Sequence, residues 1–328
     1  MTSPLLSVCL ITYNHENYIK QAIDGILMQQ VDFNWELIIA EDCSTDGTRE
    51  ILLEYKEKYP DFIKLILQEK NVGPAKNFLD LIQTPKSKYI AYCEGDDYWT
   101  DPLKIQKQVD ILELNENIGL VCSKVKHYNQ TSGDFIEITP TFVKASNDVI
   151  ALMLKSKFIS LSASIFRASV LFKVIDAIRV ELETGIIGDT RILLETVYQS
   201  EVYFLNEVTA VYRILEGSAS HPNEVNKYIL AIKDSYLCRK EFVVRNNLNK
   251  KWLSDSICNT NRGLINQAFV AKKYSDSMKF LGSILIIDTL KYCRFNVFVK
   301  KIKLDIWMKL MLSLVGIGLL RQKLKKSN

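Results

Sequence analysis

The architecture of the chain follows from its first apolar run and the polar residues after it, Leu6-Ser7-Val8-Cys9-Leu10-Ile11-Thr12-Tyr13-Asn14. A run this apolar predicts a strand that is covered on both faces, as strands in parallel sheets are. Similar runs occur at 36–41, 63–67 and 89–93, and helical patterns at 18–29, 48–58 and 74–83 separate them. The alternation predicts an α/β fold with a mostly parallel central sheet flanked by helices.

The length and composition leave room for two units. The chain has 328 residues, of which 48% are hydrophobic, so it can bury a full α/β core and a smaller second unit. We expect one domain over residues 1–220 and an α-helical region over 221–328. The seven cysteines are scattered singly, and no basic, apolar leader precedes the first strand. Both features suit a cytoplasmic protein without a disulfide framework or a thiolate zinc site.

Motifs of several other enzyme classes are missing from the sequence. No Gly-x-Gly-x-x-Gly follows the first strand and no Gly-x-x-x-x-Gly-Lys-Ser/Thr occurs, which argues against a dehydrogenase and an NTPase. The three histidines are far apart and lack a Glu-x-x-His or Gly-x-Ser-x-Gly context, which argues against the common hydrolases. A site built on acidic and polar residues remains.

Three carboxylates occur within four residues directly after the fourth predicted strand, in Glu94-Gly95-Asp96-Asp97. Like charges this close need a cation or hydrogen-bond donors, and hard divalent ions prefer carboxylate oxygens. Because ligands of an open α/β sheet bind at the carboxyl ends of its strands, we expect a divalent metal here. The alternative is a solvated acidic turn that caps the helix beginning near Asp101.

Other polar residues follow the strands at the same edge of the predicted sheet. Asp42 follows the second strand, where contact with a base or ribose and a structural role are both open. Residues 71–77 form a turn and a helix start with Lys76 in the first turn, which suits a nucleotide or a plain helix start. Asp46 and Asp189 each open a helix, and the residues alone favour capping for both.

Four motifs in this order resemble those of the family 2 glycosyltransferases, and the likeness extends over about residues 6–220. The motifs are Ser7–Asn14, Glu41–Thr48, Asn71–Gly73 and Glu94–Trp99. The resemblance implies the GT-A nucleotide-sugar fold, which is Rossmann-like, with Mn²⁺ or Mg²⁺ as cofactor. It also implies inverting transfer from a nucleoside diphosphate sugar, and UDP-sugars are the commonest donors among relatives.

The resemblance assigns roles to individual positions. Asp189 is the catalytic base, and Asp96 and Asp97 form the metal motif, with Asp97 favoured as direct ligand and Asp96 nearer the ribose. The nucleotide-binding residues are Thr12, Tyr13, Asn14, Asp42, Asn71, Gly73, Lys76 and Asp96. Uncertain donor or acceptor contacts are Glu94, Trp99 and Arg213. Glu94 replaces an aspartate often found there, and Leu215 stands where many relatives have histidine, so the acceptor or diphosphate side differs.

The resulting hypothesis is a glycosyltransferase that adds a sugar to a glycan or lipid-linked acceptor in bacterial surface polysaccharide synthesis. Asp189 would take the proton from the acceptor hydroxyl during attack on the anomeric carbon. One alternative is a catalytically silent nucleotide-sugar-binding or scaffold protein. Another is a sugar nucleotidyltransferase, which usually has a glycine-rich basic loop that residues 12–15 do not supply.

Residues 300–328 form a basic tail with eight basic residues and one acidic residue around the apolar run 310–320. The run is too short to cross a bilayer, which needs about 20 residues. It predicts either contact with the cytoplasmic face of the inner membrane or packing on the body or a second subunit in a homodimer. The mildly acidic remainder argues against nucleic acid as a partner.

Overall fold

The computed structural model describes residues 3–138, 146–155, 159–185, 188–218 and 224–270, together with positions 275, 276 and 279. The strands are β1 (Leu6–Thr12), β2 (Trp35–Glu41), β3 (Ile63–Leu67), β4 (Tyr89–Glu94), β5 (Tyr98–Trp99), β6 (Ile118–Asn129), β7 (Phe135–Ile138), β8 (Ser164–Arg167) and β9 (Glu201–Ile214). The helices are α1 (Ile19–Leu27), α2 (Thr48–Lys58), α3 (Pro74–Ile82), α4 (Lys104–Leu114), α5 (Ser146–Lys155), α6 (Ala168–Ala177), α7 (Arg179–Thr184), α8 (Gly188–Gln199), α9 (Val225–Arg245) and α10 (Leu253–Val270).

The strands of the described residues form one sheet in the order β3-β2-β1-β4-β8-β6-β9-β5, and β7 pairs with β6. β3, β2, β1 and β4 are all parallel, while β8 runs antiparallel to both β4 and β6. β6 and β9 are parallel, and β5 adds to β9 in the antiparallel direction. Parallel strands end at the same edge of the sheet, so the turns after β1, β2 and β4 lie side by side.

Burial of β1 in the core explains why its sequence is a continuous apolar run. β1 lies between β2 and β4, and helices cover the sheet, so its side chains are buried on both faces. α1 buries Ile19, Ala22, Ile23 and Ile26, which recur at the spacing of one helix face. Each such side chain contributes about 1.5–3 kcal/mol when fully buried. This packing fixes the strand ends that carry the polar turns.

Contacts divide the chain into two compact units. The first comprises residues 1–150 and 157–215, and the second comprises residues 151–156 and 216–328. In the second unit α9 and α10 share a small apolar cluster of Ile229, Leu264 and Ala268. The tail at 300–328 lies outside the described residues. Among the described helices, none is both long and apolar enough to span a bilayer.

The predicted α/β class, with a helical carboxy-terminal region, is confirmed. The structure differs from the sequence pattern in one place, where apolar runs at 202–205 and 208–214 predict two separate strands. β9 is one strand there, and its register against β6 jumps from Leu205 opposite Ser123 to Val208 opposite Lys124. A β-bulge therefore absorbs the polar residues Asn206 and Glu207.

Candidate active site

The turn after β1 is joined to the turn after β2 by hydrogen bonds between backbone and side chains. Asn14 has a left-handed backbone (φ 55°), which a short polar side chain tolerates. Its N–H donates to Ser44 Oγ at 2.9 Å, and its Oδ1 accepts the Thr45 N–H at 2.8 Å. The His15 N–H donates to Thr48 Oγ1 at 2.8 Å. The two turns therefore form one surface at the carboxyl edge of the sheet.

Asp42 connects this surface to the turn before α3. Its N–H donates to the Thr12 carbonyl at 3.1 Å, and its side chain is buried. The carboxylate accepts the Val72 N–H at 2.7 Å and the Gly73 N–H at 2.9 Å. Gly73 has φ +85°, a conformation that favours glycine. The structure thus brings the predicted residues Asp42, Asn71 and Gly73 together, and it gives Asp42 a structural role in holding the turn.

Two of the predicted nucleotide-binding side chains are accessible at these turns, and a third is engaged elsewhere. Tyr13 is 40% exposed and Asn71 is exposed. Lys76 is exposed as well, but its ammonium pairs with Asp80 one turn along α3. That ion pair favours the interpretation of Lys76 as part of an ordinary helix start.

The acidic turn after β4 packs directly on the turn after β1. The Gly95 N–H donates to the Ile11 carbonyl at 2.9 Å. A methyl group on Gly95 would lie 2.6 Å from Thr12 Oγ1 and 2.7 Å from His15 Nδ1. Such distances are shorter than van der Waals contact, so only glycine fits between the two turns. The close approach sets where the carboxylates on either side of Gly95 stand.

His15 is a site residue that the sequence prediction missed. Its Nδ1 lies 3.2 Å from Thr12 Oγ1, with the proton on whichever of the two atoms the tautomer dictates. Burial lowers the pKa of His15, and the negative charges of Asp96 and Asp46 oppose this effect. The only signal in the sequence was its position directly after Asn14, in the turn that carries the first motif. Asp46 was predicted to cap α2; the N-cap position is Gly47, and Asp46, one residue earlier, accepts the N–H of the first helical residue, Thr48, at 3.0 Å.

Asp97 does not have the surroundings expected of a direct metal ligand. Its side chain is only 1% exposed. Its Oδ2 accepts the Ser162 hydroxyl at 2.5 Å, and its Oδ1 accepts the Arg213 N–H at 2.9 Å. Its burial and these two bonds favour Asp96 over Asp97 as the direct ligand, the reverse of the order that the resemblance implies. Nothing in the sequence singled out Ser162, since it lies in a region without a recognisable motif.

Arg213 is fastened to the acidic turn by its side chain as well as by its backbone. Its Nε donates to the Asp96 carbonyl at 2.8 Å, and its terminal nitrogens donate to Gln130 Oε1 at 2.9 Å and Gln21 Oε1 at 2.7 Å. Three aromatic rings lie within 6 Å of the guanidinium, those of Tyr18, Tyr98 and Tyr128. The Arg213 side chain is therefore bonded to groups of the protein itself, where a contact with the donor or acceptor was predicted.

Trp99 lies behind the acidic turn, inside the protein. Its side chain is 2% exposed, and its Nε1–H donates to the Ser162 carbonyl at 2.7 Å. The Lys104 ammonium lies 4.1 Å from the ring centroid. A ring enclosed in this way cannot touch a sugar, so the predicted donor or acceptor contact of Trp99 is wrong.

Asp189 and the acidic turn approach the same buried phenol from different elements. Asp189 lies in the first turn of α8, and its Oδ1 accepts the Thr190 N–H at 2.5 Å. Burial raises the pKa of Tyr92 well above its usual value, and the negative charges of Glu94 and Asp189 raise it further. Both carboxylates are therefore within electrostatic reach of one side chain of β4. Glu94 and Asp189, which are distant in the sequence, therefore both lie near Tyr92.

The carboxylates suit a cation that is shared with a ligand. Glu94 and Asp96 are partly accessible in one turn. Within the described part of the chain, no cluster of three or more histidine, cysteine or acidic side chains is arranged to hold a metal. Mg²⁺ commonly binds through one or two carboxylates together with substrate phosphates. The donor set therefore fits a divalent ion that completes its coordination with phosphate oxygens.

Comparisons with known proteins agree with this geometry. Uncharacterized protein Rv1520 of Mycobacterium tuberculosis is 34% identical over 208 residues, which cover 63% of this chain and 58% of that protein. The chain thus spans less than two thirds of the length of this relative. TuaG of Bacillus subtilis, named for teichuronic acid biosynthesis, is 37% identical over 109 residues, 33% of this chain and 42% of that glycosyltransferase.

Staphylococcus aureus TarS, solved with UDP-GlcNAc, has the same fold, with a TM-score of 0.59 at 16% identity over 95% of this chain and 86% of that one. This likeness confirms the expected GT-A fold. A sequence model described as glycosyl transferase family 2 matches residues 7–174, about half of the chain. The chain therefore belongs to glycosyl transferase family 2.

Proposed function

We propose that the chain transfers a sugar from a nucleoside diphosphate donor to a hydroxyl of a glycan or lipid-linked acceptor, with inversion at the anomeric carbon. The observation that carries the proposal is the approach of Glu94 and Asp189 to the same residue, Tyr92, at the end of β4. An acidic turn for the diphosphate side and a separate carboxylate for the acceptor side are what such a transfer requires. Membership of the family supports the same conclusion.

The donor nucleoside is proposed to bind on the surface made by the turns after β1, β2 and β3. Tyr13 and Asn71 are exposed there, and Asp42 holds the 71–73 turn in place. An exposed tyrosine ring offers a face on which a base can stack. The TarS structure contains UDP-GlcNAc, which supports a uridine donor. The name of TuaG, which refers to teichuronic acid biosynthesis, supports surface polysaccharide as the setting.

Asp96 and Glu94 are the residues proposed to hold Mn²⁺ or Mg²⁺. A bound divalent ion supplies neutralisation of the negative charge that grows on a departing diphosphate. Asp96 is favoured over Asp97 because its side chain is partly exposed, whereas the Asp97 oxygens accept hydrogen bonds inside the protein. Glu94 is one methylene longer than aspartate and, like Asp189, acts electrostatically on Tyr92, so it also suits contact with the transferred sugar.

Asp189 is the proposed base. Its place in the first turn of α8 favours the negatively charged form, because the dipole of a helix stabilises an anion at the amino end. A carboxylate oxygen of Asp189 takes the acceptor proton while the acceptor oxygen attacks from the face opposite the diphosphate. The reaction is proposed to occur at the cytoplasmic face of the inner membrane. The basic composition of residues 300–328 supports that location.

The proposal is tested by screening nucleotide sugars with Mn²⁺ and measuring the release of nucleoside diphosphate. With the donor identified, Asp189→Asn should bind it normally by calorimetry and lose about 10²–10⁴-fold in transfer, the usual contribution of a general base. Glu183→Gln, which removes an exposed carboxylate from α7, is the matched control and should transfer normally.

Other outcomes of the same screen point to the alternatives. Release of pyrophosphate would favour a nucleotidyltransferase, and nucleotide binding without consumption of any donor would favour a silent binding protein. If Asp189→Asn transferred sugar at the wild-type rate, Asp189 would not be the base.

A further inference from the structure

The buried carboxylate of Asp97 is held by two elements that are distant in the sequence. Ser162, in the 3₁₀ turn Leu161–Ala163, donates its hydroxyl to Oδ2 at 2.5 Å. Arg213, in β9, donates its backbone N–H to Oδ1 at 2.9 Å. Charge-assisted bonds of this kind are about twice as strong as neutral ones. The acidic turn is thus anchored by its most deeply buried member.

The turn that contains Ser162 is itself held by hydrogen bonds. The Ser162 carbonyl accepts the Trp99 Nε1–H at 2.7 Å, and the Ala163 carbonyl accepts Gln108 Nε2–H at 2.9 Å. The 3₁₀ turn is therefore held by hydrogen bonds to two successive carbonyls, independently of its bond to Asp97. A hydroxyl held in this way specifies one position for the carboxylate that it binds.

Arg213 links Asp97 to its neighbour Asp96. The same residue that donates its backbone N–H to Asp97 donates Nε–H to the Asp96 carbonyl at 2.8 Å. The main chain of Asp96 is thus fastened, while the Asp96 side chain stays partly accessible. Asp97 is therefore hydrogen-bonded inside the protein, whereas the Asp96 carboxylate remains accessible to a ligand.

We propose that Asp97 is a positioning residue which, bonded by Ser162 and Arg213, fixes the Asp96 carboxylate for a divalent ion shared with the donor diphosphate. This inference rests on the proposed function. Groups that orient a ligand typically change metal affinity by about 10–100-fold when they are removed. Removal of the Ser162 hydroxyl leaves the buried carboxylate with one donor fewer, which costs free energy unless the carboxylate moves to another partner.

The test compares two neighbouring serines. Ser162→Ala removes a bond to Asp97, whereas Ser164→Ala removes an equally buried hydroxyl that donates to the Ser160 carbonyl at 2.6 Å. UDP and GDP binding is measured by calorimetry with and without Mn²⁺. We expect Ser162→Ala to weaken Mn²⁺-assisted binding about tenfold and to leave metal-free binding unchanged. Ser164→Ala should change neither, and thermal unfolding of both variants shows that they are folded.

A second pair of variants separates positioning from direct ligation. The amide of Asp97→Asn can still accept from the Arg213 N–H and can donate to Ser162 Oγ, so both bonds survive with the hydroxyl reversed. We expect Asp97→Asn to keep metal-assisted binding within about threefold, because neutral bonds replace charge-assisted ones. Asp96→Asn should lose the metal assistance.

Several outcomes would overturn the inference. If Asp97→Asn lost metal assistance as completely as Asp96→Asn, Asp97 would be a ligand. If Ser162→Ala bound like Ser164→Ala, the hydroxyl would not position anything. Either result leaves the proposed function intact, provided that the wild type releases nucleoside diphosphate. A wild type that neither consumes a donor nor responds to Mn²⁺ would overturn both.

Discussion

Lys104 is a basic side chain that is fully enclosed beside the site. Its Nζ donates to Gln108 Oε1 at 2.9 Å and lies 4.1 Å from the centroid of the Trp99 ring. Burial lowers the pKa of Lys104 to about 7, and the negative charge of Asp101 opposes this effect. In the unfolded chain the same ammonium keeps its proton up to about pH 10.4. The free energy of unfolding is therefore higher when Lys104 is neutral than when it is protonated.

We predict that replacing Lys104 with Met stabilises the protein at pH 7 and flattens its pH dependence. Between about pH 7 and pH 10 the unfolded state binds more protons, so the free energy of unfolding rises with pH by up to about 1.4 kcal/mol per unit. Urea unfolding of wild type and Lys104→Met between pH 6 and pH 9 measures the difference. Lys173→Met, an exposed position on α6, is the control. Parallel curves for wild type and Lys104→Met would contradict the prediction.

The contact between the turns after β1 and β4 depends on Gly95. We predict that Gly95→Ala separates the two turns, because the added methyl would lie 2.6 Å from Thr12 Oγ1 and 2.7 Å from His15 Nδ1. Overpacking of this kind costs about 1–3 kcal/mol of stability. Since both turns are proposed to hold the donor, nucleotide affinity should fall as well. Thermal unfolding and nucleotide titration measure the two effects.

A control for Gly95→Ala lies on α10. Among the described residues, a methyl group on Gly263 would meet only Ile232 Cδ1, at 3.8 Å, which is an ordinary contact. Alanine is favoured over glycine inside a helix by up to about 1 kcal/mol, so Gly263→Ala should stabilise and leave nucleotide binding unchanged. A Gly95→Ala protein with wild-type stability and affinity would show that the turns are not in tight contact.

The elements differ in how well they could be predicted from the sequence. β1, β2 and β4 are buried on both faces, so their apolar runs identify them directly. β3 ends the strand order and is partly exposed, but its short apolar run still identifies it. β9 was predicted as two strands because Asn206 and Glu207 interrupt its apolar pattern, and no local signal announces a bulge. α6 and α7 were missed, since their apolar spacing competes with that of the short strand β8 before them.

The candidate site could be located from the sequence but not resolved into roles. The polar residues that follow β2 and β4 were predicted to gather at one edge, since parallel strands end together. The sequence does not show which of the adjacent residues Asp96 and Asp97 is buried. Asp97 is buried because Ser162 and Arg213, which lie far along the chain, donate hydrogen bonds to it. Trp99 was misassigned for the same reason, because only the folded protein shows what encloses its ring.

The whole fold is expected to survive loss of the metal, while the proposed reaction is not. The first unit is built on the apolar core shared by β1, β2, β4 and α1, in which each buried aliphatic side chain contributes about 1.5–3 kcal/mol. The carboxylates proposed for the ion, Glu94 and Asp96, lie partly exposed at the rim of that core. An ion bound there without a nucleotide adds little to the free energy of unfolding.

We predict that chelation with EDTA abolishes release of nucleoside diphosphate but lowers the melting temperature by no more than about 2 °C, the shift that about 1 kcal/mol produces in a chain of this size. Differential scanning calorimetry with and without chelator measures the melting temperature, an assay of released nucleoside diphosphate measures turnover, and readdition of Mn²⁺ should restore turnover. Ca²⁺, which accepts looser geometry, is the comparison ion. Unfolding on chelation would instead mean that the acidic turn depends on its cation for structure, and the anchoring of Asp97 by Ser162 and Arg213 would then be insufficient to hold it.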